Sequence, residues 1–124
     1  MRSAESIAMF AAGKRQSLIT PTALLAQIDA GTAPLILDVR SDREFAHGHV
    51  PGALHVPFWI LPIRISMIRT SPTDPVVVYC GHGPRAYLAG VVLLLRGFRR
   101  VLYLEGHMWR WRRAGLRQEI GSVP

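Results

Sequence analysis

The sequence predicts an α/β fold built on a mainly parallel sheet covered by helices on both faces. Two observations carry this. Short apolar runs alternate with helical segments along most of the chain, and such alternation makes crossover connections between parallel strands. In addition, Asp38, Cys80 and Glu105 each follow an apolar run directly. Open α/β sheets place ligands beyond the carboxyl ends of their strands, so these three residues mark a candidate site.

The elements follow in order. Thr20-Pro21 offers a capping hydroxyl and a first-turn proline, predicting a helix through Ala30 that stops at Gly31. Pro34–Leu37 reads as a short buried strand ending at Asp38. Ser41-Asp42-Arg43-Glu44 has the capping-box pattern, so a short helix starts just past Asp38-Val39-Arg40. Ala53–Val56 is a second short strand and Leu61–Thr70 a helix with Pro62 in its first turn. Val76–Tyr79 is the third strand, Arg85–Arg96 a helix closed by Gly97, Arg100–Leu104 the fourth strand, and Met108–Arg113 a last short helix ending near Gly115.

At 124 residues, 49% hydrophobic and 19% charged, the composition is that of one globular domain. The longest apolar stretch, Tyr87–Leu95, is far below the ~20 residues of a bilayer helix. The N-terminus lacks a secretory pattern, and a single cysteine rules out an internal disulfide; together these favour a cytoplasmic setting. The net charge of +7 is almost wholly arginine, with Lys14 the only lysine. A basic balance suits nucleic acid, an anionic membrane or small anionic substrates. The clusters Arg96-Arg99-Arg100 and Arg110-Arg112-Arg113 match no nucleic-acid motif, however, and most of these arginines read as a solvated surface. No nucleic-acid or membrane partner is expected.

Cys80 carries the most specific chemistry. It ends the run Pro75–Tyr79 and precedes Gly81-His82-Gly83-Pro84-Arg85, a strand–loop–helix unit. Two glycines let successive N–H groups turn inward as an anion nest, at the positive end of the following helix. Pro84 removes one donor but suits the first helical turn. Arg85 adds a permanent forked cation. Such surroundings favour the thiolate, which is the nucleophile. A small buried hydrophobe at a strand end is the alternative. His82 has a solvated loop position, with its backbone N–H the group of interest.

These stretches, in this order, resemble the rhodanese-like, single-domain sulfurtransferases over roughly Leu18–Leu116. The matching residues are Leu35–Arg40, Glu44-Phe45, Gly48–Ala53, Cys80–Arg85, Gly97-Phe98, Val101–Gly106 and Trp111. The resemblance implies a three-layer domain over residues 18–124, with about five strands, preceded by an extension of residues 1–17. It implies that Cys80 takes sulfane sulfur from a small anionic donor such as thiosulfate and passes it, as a persulfide, to cyanide or a cellular thiol. No cofactor or metal enters that scheme. Cys80 and Arg85 take the catalytic roles, and Gly81, His82, Gly83, Pro84 and Ala86 surround the substrate. Asp38, Arg40 and His49 organise the site's edge, Glu105-Gly106 leads into the last helix, and Trp109 and Trp111 are core or pocket wall.

The chain departs from the family pattern at three places. Gly81 stands where a basic residue is frequent, Ala86 where Ser or Thr is frequent, and His107 where a second glycine is usual. The missing hydroxyl at Ala86, with Pro84, predicts fewer donors around Cys80 and weaker thiosulfate turnover. Two other functions compete. A cysteine-dependent phosphatase or arsenate reductase uses Cys-x5-Arg, against Cys-x4-Arg here. A regulatory rhodanese-like binding module is the non-catalytic alternative, although such modules typically lack the cysteine. Metal binding through His47, His49, Cys80 or His107 fits no zinc spacing.

Overall fold

The structure, a computed structural model, describes residues 17–121. The elements are β1 (Leu18–Ile19), α1 (Pro21–Ala30), β2 (Leu35–Asp38), α2 (Asp42–His47), β3 (Leu54–His55), α3 (Leu61–Arg64), β4 (Pro75–Tyr79), α4 (Pro84–Leu95), β5 (Arg100–Leu104) and α5 (His107–Arg113). The five strands form one parallel sheet in the order β1-β5-β4-β2-β3.

Local signals explain most boundaries. Thr20 Oγ1 accepts the Ala23 N–H at 3.2 Å, and Gly31 closes α1 at φ +76°. The Ser41–Glu44 capping box forms in both directions. Most other ends lie within a residue of expectation, β3 being shorter by one at each end, and two elements differ outright. The segment after Leu61 is one α-helical turn followed by a 3-10 turn over Ile65–Met67, and does not continue to Thr70. Its first turn carries Pro62 and no side-chain cap, so little favours extension. Leu18–Ile19 is a strand that the apolar pattern did not reveal. Ser17 belongs with it, because its carbonyl accepts the Tyr103 N–H at 2.9 Å. Apart from Ser17, the expected extension of residues 1–17 lies outside the described residues.

The side-chain alternation of the strands divides the core into two layers. Leu37, Val76 and Val78 join Leu61, Ile65, Ala89 and Leu93, so α3 and α4 cover one face. Ile36, Val77 and Tyr79 join Leu24, Phe45, Met108 and Trp111, so α1, α2 and α5 cover the other. Helices thus lie on both faces, as expected. No helix among the described residues is long and apolar enough to cross a membrane.

Candidate active site

The central strands deliver the site. β4 ends at Tyr79, and Cys80 follows where the chain turns toward α4. Gly83 takes φ +140°, a conformation a side chain strains to adopt, and aims its N–H at Cys80 Sγ, 3.0 Å away. Pro84 then opens α4. The Cys80 side chain is fully buried, grouped with Leu37, Val39 and Ala86. One hydrogen bond from the loop reaches the sulfur, in place of a full nest of donors.

The last helix closes the loop from behind. The first N–H groups of a helix lack intrahelical partners. Here Met108 N–H donates to the Cys80 carbonyl at 2.9 Å and Trp109 N–H to the Gly81 carbonyl at 3.1 Å. In return, the Cys80 N–H donates to His107 Nδ1 at 3.3 Å. His107 is buried, and burial, aided by the charge of His82, lowers its pKa to about 4. Its neutral ring therefore accepts at Nδ1 and carries its proton on Nε2.

In front of the loop lies a cavity of about 600 Å³, lined by Arg43, His47, Gly81, His82, Arg85, Met108, Trp109, Arg112 and Arg113, with Arg40 and Glu44. Arg40 and Arg85 hold carboxylates there. Among the described residues no carboxylate pairs with Arg43, Arg112 or Arg113, so the mouth is cationic. Arg113 stacks on the exposed Trp109 ring at 5.2 Å.

Arg85 departs from the arrangement the sequence suggested. Its guanidinium forks onto Glu44, at 2.6 and 3.0 Å, instead of onto the sulfur. That bond is the main reason the Glu44 carboxyl falls to about 2, against the opposing effect of burial. The sequence showed Glu44 as a cap and as part of a family-like Glu-Phe stretch. Its second role joins residues 41 positions apart and has no local signature.

Asp38 and Arg40 form a buried pair with Nη2–Oδ2 at 2.7 Å. Asp38 also accepts the Arg40 N–H at 3.0 Å and the Tyr79 hydroxyl at 2.6 Å, and Arg40 donates to the Gly48 carbonyl at 2.8 Å. His49 stacks on Phe45 at 3.6 Å and donates through Nδ1 to its carbonyl, outside the cavity. Of the other residues expected around the site, Asp38, Cys80, Gly83, Pro84 and Ala86 do not line the cavity, nor does Glu105. Pro84 is exposed at the start of α4, the Ala86 methyl is fully buried in the core, and Glu105 pairs with Arg110 at 3.7 Å. Trp111 is core and Trp109 is cavity wall.

Residues 20–114 match the family model of the rhodanese-like domain. The chain belongs to the rhodanese-like domain family. Within that family it is 43% identical over 83 residues to a sulfurtransferase of Allochromatium vinosum, covering 66% of this chain and 75% of that one. It is 34% identical over 95 residues to the thiosulfate sulfurtransferase GlpE of Stutzerimonas stutzeri, covering 76% and 83%. Among solved structures, a full-length protein from Lactobacillus plantarum superposes with TM-score 0.75 at 26% identity, covering 94% of this chain and 97% of that one.

Proposed function

We propose that this rhodanese-like domain is a sulfurtransferase in which Cys80 carries sulfane sulfur between a small anionic donor and a thiol or cyanide acceptor. The observation that supports this most is the Gly83 N–H on Cys80 Sγ at 3.0 Å, in a loop that fronts a cationic cavity. The named activities of the two sulfurtransferase relatives support the same reading.

The chemistry follows from the atoms. The Cys80 thiolate attacks the outer sulfur of thiosulfate, forming a new S–S bond. The bond to the sulfonate sulfur breaks, and sulfite leaves with its electron pair. Cyanide or a thiolate then attacks the sulfur held on Cys80, and the Cys80 thiolate is restored. Two half-reactions of this kind give ping-pong kinetics. The Gly83 N–H stabilises the charge on the carrier sulfur, and Arg43, Arg112 and Arg113 draw anions to the mouth. Because Cys80 is covered, the Gly81–Pro84 loop shifts for each transfer.

Incubation with thiosulfate followed by intact mass measurement tests this. The protein gains one sulfur atom, loses it to cyanide, and Cys80→Ser gains none. No gain in the native protein overturns the proposal. The full burial of Cys80 favours a second reading, a non-catalytic binding module. That reading requires Cys80 to resist iodoacetamide in the folded protein while reacting when unfolded.

A further inference from the structure

We infer that His107 is a positioning residue for Cys80, its imidazole pinning both the cysteine's own peptide and the far side of its loop so that the Gly83 N–H stays on the sulfur. The inference rests on the sulfur-transfer reading and names the residue that sets the carrier's geometry.

The backbone supplies the first observation. Among the described residues His107 is the only non-glycine with positive φ, at +54°. It follows Gly106, itself at φ +73°. Left-handed backbone is uncommon outside glycine, with asparagine, aspartate and histidine the usual exceptions. A buried histidine in that conformation points to a role for its side chain.

The side chain supplies the second. Nδ1 accepts the Cys80 N–H at 3.3 Å, and the ring is buried. Its other nitrogen, Nε2, sits 3.4 Å from the point where a Cβ on Gly83 would stand. One imidazole is therefore bonded to the first residue of the loop and lies beside the residue whose N–H meets the sulfur. The edge of Tyr87 packs on it from α4 at 5.7 Å. The backbone bonds from Met108 and Trp109 hold the loop carbonyls, and the His107 side chain accepts the Cys80 N–H. The titratable groups facing it are Cys80 and His82 from the loop and Tyr87 from α4. A proton added at Nδ1 would set donor against donor and break the pin.

Two substitutions separate positioning from simple support. His107→Gly relieves the backbone and removes the acceptor. His107→Asn keeps a short acceptor and tolerates the left-handed conformation. In the glycine variant, hydrogen-exchange protection of the Cys80 amide falls about tenfold, and kcat for thiosulfate:cyanide transfer falls about tenfold, the scale of one lost hydrogen bond, with KM within about twofold. The asparagine variant recovers both to within about threefold of the starting protein. A glycine variant with unchanged kcat and protection overturns the proposal, and so does an asparagine variant as impaired as glycine. If the unmodified protein transfers no sulfur, the sulfur-transfer reading fails, and the exchange measurement alone decides whether His107 pins Cys80.

Discussion

Glu44 and Arg85 are joined by two hydrogen bonds, 2.6 and 3.0 Å long, while the same carboxylate caps α2 through Ser41. One acidic side chain thus ties the cap of a helix to the arginine of the cysteine loop. Its folded pKa, about 2, lies below the ordinary 4.5, so its contribution to stability is complete above pH 4.5 and is lost as pH falls toward 2. With the pair partly exposed, screening limits that contribution to about 1 kcal/mol. Glu44→Gln removes this acid limb in denaturation curves between pH 5 and 2. It also releases Arg85 toward the cavity, and the KM for thiosulfate falls by about threefold, the effect of one screened charge.

The Asp38–Arg40 pair behaves differently because it is buried. Both side chains are at most 2% exposed, and Tyr79 completes the network. Removing one partner leaves a charge without water or counterion. Asp38→Asn therefore costs about 3 kcal/mol in urea unfolding. The double change Asp38→Asn with Arg40→Met recovers part of that loss, since no buried charge is left behind.

His107 sets the stability profile at mildly acid pH. Burial holds its folded pKa near 4, below the ordinary 6.5. The contribution is complete above pH 6.5 and disappears as pH falls through about 4, because only the unfolded chain takes up the proton in that window. Guanidinium unfolding at pH 7, 5.5 and 4 shows a fall of a few kcal/mol in the native protein. In His107→Asn the same window is nearly flat.

Gly90 lies within α4, where alanine is worth about 1 kcal/mol of helix propensity. A methyl there would meet the Tyr103 hydroxyl and ring across the layer. Overpacking of this kind costs about 1–3 kcal/mol, so Gly90→Ala lowers the melting temperature in spite of the propensity gain.

The cavity mouth sets salt dependence. Neutralising Arg43 and Arg113 together, each to Gln, raises the KM for thiosulfate about fivefold at low ionic strength. The difference shrinks as salt is raised toward ~1 M, where screening acts over about 3 Å. An unchanged ratio across that range refutes a steering role for these arginines.

What the sequence showed and hid follows from range. The Ser41–Glu44 box, the Thr20 cap and the Gly31 stop are local, and each formed where expected. The alternation in β4 placed Cys80 at a strand end. Leu18–Ile19 escaped notice because two residues cannot show a period of two; their pairing with Tyr103 and Leu104 is entirely non-local. The same holds for the partners of Arg85 and Cys80, which lie 41 and 27 positions away. The His107 departure was visible as an odd residue in a glycine position, but only three-dimensional proximity connects its ring to the cysteine.

The outer strands β1 and β3 are only two residues long. Each rim of the sheet accordingly offers an incoming β-segment almost nothing to ladder onto. Fibril-like stacking of folded copies is disfavoured by that brevity alone, without gatekeeper lysines, which this chain lacks beyond Lys14.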